Sequence, residues 1–204
     1  MFLKRGDPYA LVVGMAGVKM GDRFLQIGCA DGRRLAAVAQ KVGLSGRAVV
    51  VAPDEPSAAR ARKGAANAGV LVDVEVAPPT RLPVEDASFD LVIVDDTAGL
   101  MGTMRPEDRV ATVRELLRVA RPGGRAMVVG AAPRAGLGAL LSRGQNAPLF
   151  AASGDATKTL QADGFKSVRT LAEREGLVFV EGIKPREAER AGEAGRAGEA
   201  GKAG

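Results

Sequence analysis

A glycine-rich turn directly follows an apolar run in this sequence, an arrangement that brings backbone amides close to a ligand. The stretch reads LQIGCADG over residues 25–32, with small residues at Gly28, Ala30 and Gly32. Small residues allow a sharp turn and let a ligand approach the amides. The dinucleotide fingerprint requires a further glycine where Arg33 stands. A pyrophosphate site is therefore poorly supported, and simple packing of a strand against a helix is the alternative interpretation.

Two consecutive carboxylates, Asp95 and Asp96, end a second apolar run, DLVIVDD at 90–96. Paired carboxylates at a strand end can position or deprotonate an acceptor, so we predict that both are catalytic residues. The alternative is that one caps the next segment and the other is solvated. The sequence contains no histidine, which excludes Ser-His-Asp and Cys-His nucleophilic sites and histidine-ligated zinc. We predict no metal site.

Two other acidic residues and the only cysteine lie in predicted turns. Asp31 either faces a ligand or caps the helix that follows it. Asp54 precedes a helix that starts near Pro56, and the same two interpretations apply to it, with the cap favoured. Cys29 is the single cysteine, so an intrachain disulfide is excluded. We interpret it as a small filler of the glycine turn and not as a reactive thiol.

Composition is typical of a folded domain and disfavours two classes of partner. The chain has 204 residues, a net charge of +5 and 46% hydrophobic residues, which fits one globular domain. Only 3% of the residues are aromatic, so nucleic-acid binding by base stacking is unlikely. The apolar stretch at 9–17 is too short to span a membrane. It predicts a helix with Asp7 as N-cap and Pro8 at its first position. We also predict that the protein is cytoplasmic.

Apolar runs alternate with helical patterns along most of the chain. This alternation predicts an α/β fold with a doubly wound, mostly parallel sheet and an antiparallel hairpin at one edge. The strand that begins near Phe24 should lie at the centre, and ligands should bind at the carboxyl ends of the strands. The predicted strands are 24–29, 48–51, 70–76, 90–96, 124–131, 165–172 and 176–183. The predicted helices are 32–42, 56–69, 106–120 and 155–163, the last with Asp155 as N-cap.

The end of the chain differs from the rest in composition. Glycine recurs at every third position from Gly192 to Gly204, in AGEAGRAGEAGKAG. These triplets cannot bury a core, and without proline a collagen-like helix is not expected. We predict one domain over residues 1–185 and a disordered tail over 186–204.

Four stretches together resemble the class I S-adenosylmethionine-dependent methyltransferases. They are GDRFLQIGCADG (21–32), GRAVVVAPDEPSAARARKGAANAG (46–69), LPVEDASFDLVIVDD (82–96) and ELLRVARPGGRAMVVG (115–130). The last two stretches are the more specific. The resemblance is strongest to the small-molecule branch that includes enzymes of ubiquinone and menaquinone biosynthesis. It implies a seven-stranded Rossmann-like sheet and S-adenosylmethionine as cofactor.

The sequence departs from this family at three acidic positions that usually hold the cofactor. Gln26, Ala52 and Pro78 stand where the family usually has an acid beside the glycine turn, an acid that binds both ribose hydroxyls, and an acid beside the adenine. Charge-assisted hydrogen bonds are about twice as strong as neutral ones, so we expect weak cofactor binding. The resemblance implies cofactor contacts from a set of six residues in the first two turns: Gln26, Gly28, Ala30, Asp31, Gly32 and Asp54.

Two functions of different classes remain open at this point. The first is methyl transfer to a small-molecule acceptor, in which the protein mainly aligns the nucleophile with the methyl carbon and the sulfur. The segment 131–155 would then form a lid, in which Leu137, Leu140, Leu141, Leu149 and Phe150 suggest an apolar acceptor or simply pack on the sheet. The second is a non-catalytic, methyltransferase-like domain that binds a partner, which the missing acids favour.

Overall fold

The computed structural model describes residues 7–133 and 149–186, which form a seven-stranded sheet with helices on both faces. The predicted alternation of strands and helices is confirmed. The strands are β1 (Arg23–Ile27), β2 (Arg47–Ala52), β3 (Asp73–Val76), β4 (Phe89–Asp96), β5 (Ala120–Ala131), β6 (Lys166–Arg174) and β7 (Leu177–Ile183). The helices are α1 (Ala10–Ala16), α2 (Gly32–Val42), α3 (Glu55–Ala68), α4 (Pro106–Val119) and α5 (Asp155–Ala162).

The strand order is β3-β2-β1-β4-β5-β7-β6. The direction in which strands are added to the sheet therefore changes between β1 and β4, beside the glycine turn. The strands β1 to β5 are parallel, and β7 runs antiparallel between β5 and β6. The predicted edge hairpin is therefore confirmed. The middle strand is β4, so the prediction of β1 at the centre was wrong by one place. Because the chain leaves β1 toward β2 and later returns to β4, a ligand cleft is expected between the carboxyl ends of β1 and β4.

Side chains of the central strands alternate between two hydrophobic clusters, one on each face of the sheet. Leu25 and Ile27 of β1 belong to the cluster that also contains α4 and α5 residues, whereas Phe24 belongs to the cluster with α1 and α2 residues. Both faces of β1 are thus buried, which explains why its sequence is a continuous apolar run.

Close contact between α2 and α3 depends on two glycines. A Cβ atom on Gly32 would lie 2.1 Å from the carbonyl oxygen of Arg60, and one on Gly64 would lie 2.1 Å from the carbonyl oxygen of Gly32. Backbone atoms cannot rotate out of the way as side chains can. Gly32 is therefore required for helix packing, whatever it also does for a ligand.

The two most specific stretches of the resemblance contact each other through Arg118. Its guanidinium donates to the carbonyl oxygens of Leu82 and Val84 and pairs with Glu115 and Asp86. Glu115 in turn accepts the backbone N–H of Leu82 at 2.7 Å, and the hydrogen bond from Arg118 lowers the pKa of Glu115. These motif residues fix the loop before β4 on α4, so their role is structural.

Several predicted boundaries were wrong for identifiable reasons. Asp7 is not the N-cap of α1; that residue is Tyr9, whose backbone N–H donates to the Asp7 carboxylate. Gly154, in a left-handed conformation, is the N-cap of α5, and Asp155 lies in its first turn. The third strand includes only Asp73–Val76 of the predicted 70–76. The fifth begins at Ala120, which pairs with Phe89, and the RPGG stretch is an irregular part of β5 ahead of the pair formed by Arg125 and Leu91.

Some predictions lie outside the described residues. These include the three leucines of the predicted lid (Leu137, Leu140 and Leu141), and nearly all of the predicted tail. Phe150 is described, and at 3% exposure it packs in the core on the face of α4 and α5. Within residues 7–133 and 149–186, no helix has the length and apolar character needed to cross a membrane.

Candidate functional site

The glycine turn and the end of β4 form the walls of a cleft at the carboxyl ends of the central strands. Gly28 has a φ of +74°, a left-handed conformation that favours glycine, and its N–H donates to the carbonyl of Val51 at 2.9 Å. A Cβ atom on Gly28 would lie 2.9 Å from Leu100 Cδ2. The cleft holds a cavity of about 160 Å³. Its lining includes Ala30, Asp54, Asp95 and Leu100.

The backbone of the turn is fixed by side chains from β1 and α3. Gln26 donates from Nε2 to the carbonyl oxygen of Gly28 at 2.9 Å. The N–H of Cys29 donates to Ser57 Oγ at 2.9 Å, and Arg60 Nε donates to the Cys29 carbonyl at 2.7 Å. The turn is thus held in its conformation by the protein itself, and a ligand would meet a preformed surface.

The thiol of Cys29 is protonated at neutral pH. Burial is the largest cause that raises its pKa from 9.0 to about 12, and the negative charge of Asp95 is the second. The effect of Asp95 on this thiol exceeds the opposing effects of Arg60 and Arg34. The interpretation of Cys29 as a buried filler agrees with this environment.

Asp95 connects the end of β4 to the glycine turn. Its Oδ2 accepts the N–H of Ala30 at 2.9 Å, and its Oδ1 accepts Arg34 Nη1 at 3.2 Å and Thr97 Oγ1 at 2.6 Å. Arg34 also donates to Thr97 Oγ1 at 2.9 Å. Asp95 is 5% exposed. It is therefore not solvated, and a carboxylate with both oxygens occupied by donors is a poor general base.

Asp96 has a different environment from its neighbour, because successive strand residues face opposite sides of the sheet. Its Oδ1 accepts the N–H of Met101 at 2.6 Å, so it caps the loop after β4. Burial is the largest cause that raises its pKa from 3.8 to about 6, against the lowering effect of the Met101 and Gly102 amides. Asp96 is therefore a cap, which was one of the alternatives from sequence. With a pKa of about 6, its carboxyl group changes charge just below neutral pH.

Asp31 and Asp54 both cap helices. Asp31 is the N-cap of α2 and accepts the N–H of Arg33 at 2.9 Å, and it also accepts the hydroxyl of Tyr9 at 3.3 Å. Asp54 is the N-cap of α3 and accepts the N–H of Ser57 at 2.7 Å. The geometry therefore shows a helix cap in both cases, which was one of the two alternatives from sequence.

Two of the three positions where the family usually has an acid, Ala52 and Pro78, offer no side-chain acceptor. Ala52 ends β2 and is fully buried, and its carbonyl accepts the N–H of Ala77. Pro78 is exposed and its carbonyl accepts the N–H of Arg81 at 3.0 Å. We call the part of the cleft formed by Pro53, Asp54 and Ser57 the β2 side. The part formed by Ala30, Asp95 and Leu100 is the β4 side.

The structure brings most of the predicted site residues together, with partners that sequence reasoning missed. Gly28, Ala30, Asp54 and Asp95 line one cavity, Gln26 lies beneath the turn, and Gly32 faces α3. The residues missed are Arg34, Ser57, Arg60, Thr97 and Leu100. Ser57 follows a cap residue by three positions, a spacing typical of a first helical turn. No local pattern connects Arg34 to Asp95.

A larger cavity lies at the opposite end of the sheet. It has a volume of about 480 Å³ between the ends of α2 and α3. Leu44 and Leu71, which line it, are 91% and 80% exposed, and its charged lining residues Arg47 and Asp73 pair with each other. Size alone does not make it a reaction site, because parallel sheets bind ligands at the carboxyl ends of their strands. No cluster of three or more possible metal-ligating residues occurs among residues 7–133 and 149–186.

Comparison with known proteins agrees with this location. A family model described as a methyltransferase domain matches residues 24–124, which include the cleft. This part of the chain is a methyltransferase domain of the class I S-adenosylmethionine-dependent type. A crystal structure of a SAM dependent methyltransferase from Aquifex aeolicus superposes with a TM-score of 0.68 and 18% identity, over 87% of this chain and 89% of that one. At this identity the likeness shows the fold.

Two curated relatives each match a little over half of this chain. It is 32% identical over 114 residues to 27-O-demethylrifamycin SV methyltransferase of Amycolatopsis mediterranei, covering 56% of this chain and 40% of that protein. It is 28% identical over 117 residues to the ubiquinone/menaquinone biosynthesis C-methyltransferase UbiE of Cupriavidus taiwanensis, covering 57% and 46%. The chain thus spans less than half the length of these relatives.

The family and its fold imply S-adenosylmethionine as the cofactor, and one side of the cleft fits it better than the other. On the β4 side, the Asp95 carboxylate and the backbone of a glycine turn face the cavity, and these groups suit a charged amino-acid end. On the β2 side, Asp54 is engaged as a cap and Ala52 has no polar side chain. The residues present therefore fit the cofactor, with fewer ribose contacts than the family usually provides.

Proposed function

We propose that this chain transfers a methyl group from S-adenosylmethionine to a small-molecule acceptor. The observation that carries the proposal is the cleft at the carboxyl ends of β1 and β4, where a preformed glycine turn lies beside the buried Asp95. The sulfonium group, when bound, supplies an activated methyl, so the protein mainly binds and aligns its two ligands. The absence of histidine from the sequence is compatible with this chemistry.

A small-molecule acceptor is supported by the relatives. They are named for a rifamycin and for ubiquinone or menaquinone biosynthesis. The family match, residues 24–124, contains the glycine turn and the end of β4, and it does not choose among acceptors. An apolar acceptor, a role for Asp95 and Asp96 in catalysis, and a cytoplasmic location stay predictions.

Titration calorimetry tests the proposal directly. S-adenosylmethionine and S-adenosylhomocysteine should both bind, with dissociation constants weakened by the missing carboxylate contacts. Each lost charge-assisted partner costs about 1.5–3 kcal/mol, although three such losses do not simply add. Methyl transfer from labelled cofactor to fractionated small-molecule extracts then tests the reaction. If neither ligand binds at millimolar concentration, the proposal is overturned and a non-catalytic domain is favoured.

A further inference from the structure

The buried face of α4 continues into a charged residue, Arg109, near the start of the helix. The buried residues of α4 are Thr112, Val113, Leu116 and Val119, and they follow the helical spacing of three and four positions. Arg109 precedes the first two of them by three and four positions, so it lies on the same face. It is half-buried. A charge on the face that packs on the sheet is costly unless it has a partner.

Two contacts place the guanidinium of Arg109 at the carboxyl end of the sheet. Its Cζ lies 5.7 Å from the centre of the Phe150 ring. The next residue, Ala151, packs on Gly130 near the end of β5, where an added Cβ atom would lie 2.5 Å from Ala151 Cβ. Arg109 Nε also donates to the carbonyl oxygen of Met104 at 3.1 Å, in the loop after β4 that forms one wall of the cleft. The guanidinium therefore lies beside that wall, on the side of β5.

Arg109 differs from the other arginines of α4 and its N-cap in having no acidic partner in the described part of the chain. Arg105, Arg114 and Arg118 each form an ion pair with an acidic residue. Among residues 7–133 and 149–186, Arg109 pairs with no carboxylate, and its two Nη groups donate to no acceptor. These two groups form a planar pair of donors that matches a carboxylate or a phosphate.

The buried Asp96 does not serve as the partner of Arg109. Its Oδ1 accepts the N–H of Met101. Burial raises the pKa of Asp96 to about 6, although the positive charge of Arg109 acts to lower it. A carboxylate that is paired with a guanidinium would have a pKa below its usual range. The charge of Arg109 is therefore not neutralised by Asp96 and can attract an anion.

We propose that Arg109 binds an oxyanion group of the methyl acceptor, a carboxylate or a phosphate, through its two Nη groups. This assignment rests on the proposed function and names the class of its acceptor. The contact with Phe150 and the hydrogen bond to the Met104 carbonyl hold the guanidinium in place, and paired charge-assisted hydrogen bonds give such a site its selectivity. The acceptor then combines an anionic group with the apolar body expected from the sequence. Arg109 selects the acceptor and takes no part in the transfer itself.

The charge of the acceptor is tested first, with the unaltered full chain. A small-molecule extract is separated on an anion-exchange resin, and each fraction is incubated with the chain and tritium-labelled S-adenosylmethionine. Label should enter compounds of the retained fraction and not those of the flow-through. Alkaline phosphatase then removes phosphates, and carbodiimide with methylamine converts carboxylates to neutral amides. One of these treatments should lower the transfer at least about tenfold, and it identifies which oxyanion the acceptor carries.

Variants then test whether Arg109 recognises this charge. In Arg109→Gln, kcat/KM for the purified acceptor should fall at least about tenfold, whereas kcat/KM for the neutralised acceptor should stay within about twofold of that of the unaltered chain. Arg109→Lys keeps the charge without the paired donors and should lie between. Arg105→Gln is the matched control, because Arg105 is exposed and paired with Asp108, and both acceptors should react with it as before. A merely structural role would slow the two acceptors equally.

The outcomes separate this assignment from the proposed function. Label that enters only the flow-through, a transfer that survives both treatments, or an equal loss for both acceptors in Arg109→Gln overturns the assignment and leaves methyl transfer in place. A lack of label in every fraction overturns the proposed function and the assignment with it. If Arg109→Gln does not fold, Arg109→Lys and the two treatments on the unaltered chain decide.

Discussion

The two sides of the cleft differ in what their polar groups do. On the β4 side, Asp95 links a strand end, a helix and the glycine turn while it faces the cavity. On the β2 side, Asp54 and Ser57 satisfy backbone groups of the helix start and the turn, and Ala52 is apolar. The contrast shows that a cleft can keep its shape through internal hydrogen bonds after some ligand contacts are missing. Retained glycines are therefore weaker indicators of ligand binding than a carboxylate directed at the cavity.

The largest effect should come from the packing that holds both sides in place. Gly32→Ala puts a Cβ atom 2.1 Å from the Arg60 carbonyl oxygen, so α2 and α3 must separate. We expect a loss in the free energy of unfolding on the order of 3 kcal/mol, measured by urea denaturation. Gly14→Ala, with nothing within 4 Å of its Cβ, is the control and should be neutral or slightly stabilising. Equal stabilities of the two variants would show that the helices do not pack this closely.

This contact illustrates how far the sequence predicts the fold. Alternating apolar and helical segments were enough to predict the sheet, its edge hairpin and most helices, because each strand carries its own burial pattern. The start of β5 was missed, because Ala120 pairs with Phe89 ahead of the RPGG stretch, and the register of the two strands shifts across those turn residues. The N-cap of α1 was missed because the helix begins at Ala10, so that Tyr9 is its N-cap and Asp7 accepts the amide of Tyr9 two residues too early.

For the site, the sequence could place residues at the cleft, while their roles toward a ligand stay predictions. The glycine turn and Asp95 were found because both end apolar runs, and strand ends collect ligands in such sheets. Arg34 and Arg60 were not found, because their contacts join elements far apart in sequence and leave no local pattern. The sequence left the requirement for Gly32 open between a ligand and packing, and its closest neighbour is a backbone carbonyl of α3.

The next largest effect concerns Asp96, the buried neighbour of Asp95. Because its pKa is raised from 3.8 to about 6 in the folded chain, the folded state binds its proton more tightly than the unfolded state. The carboxyl therefore lowers stability as the pH rises from about 4 to about 6. Asp96→Asn should be more stable than the unaltered chain at pH 8 by about 2 kcal/mol.

The pH dependence provides the check on Asp96. Urea denaturation at pH 4 and pH 8 should show a difference between Asp96→Asn and the unaltered chain that is large at pH 8 and small at pH 4. Glu107→Gln, on the exposed start of α4, should show little difference at either pH. A variant that is less stable at pH 8 would mean that the charged form of Asp96 is the favoured one, through its hydrogen bond from Met101.

A smaller effect should follow from adding a ribose acceptor to the β2 side. Ala52→Asp places a carboxylate at the end of β2, and we expect about tenfold tighter binding of S-adenosylhomocysteine, or about 1.4 kcal/mol. Ala52 is fully buried, so the free variant should also be less stable. An analogue of S-adenosylhomocysteine that lacks the ammonium group has the same ribose and should gain equally. Ala52→Asn, a neutral acceptor, should gain less, and a gain limited to S-adenosylhomocysteine would contradict the separation of the two sides.

The smallest effect is expected at Cys29, where the two sides meet. Its N–H donates to Ser57 on the β2 side, while burial and the charge of Asp95 raise the pKa of its thiol to about 12. At pH 8 only about one thiol in ten thousand is then ionised, so alkylation by iodoacetamide should be undetectable within an hour. The same protein in denaturing urea should label completely, which shows that the reagent is active. Stoichiometric labelling of the folded chain within minutes would mean that the turn opens readily, and that neither side of the cleft is as preformed as its hydrogen bonds indicate.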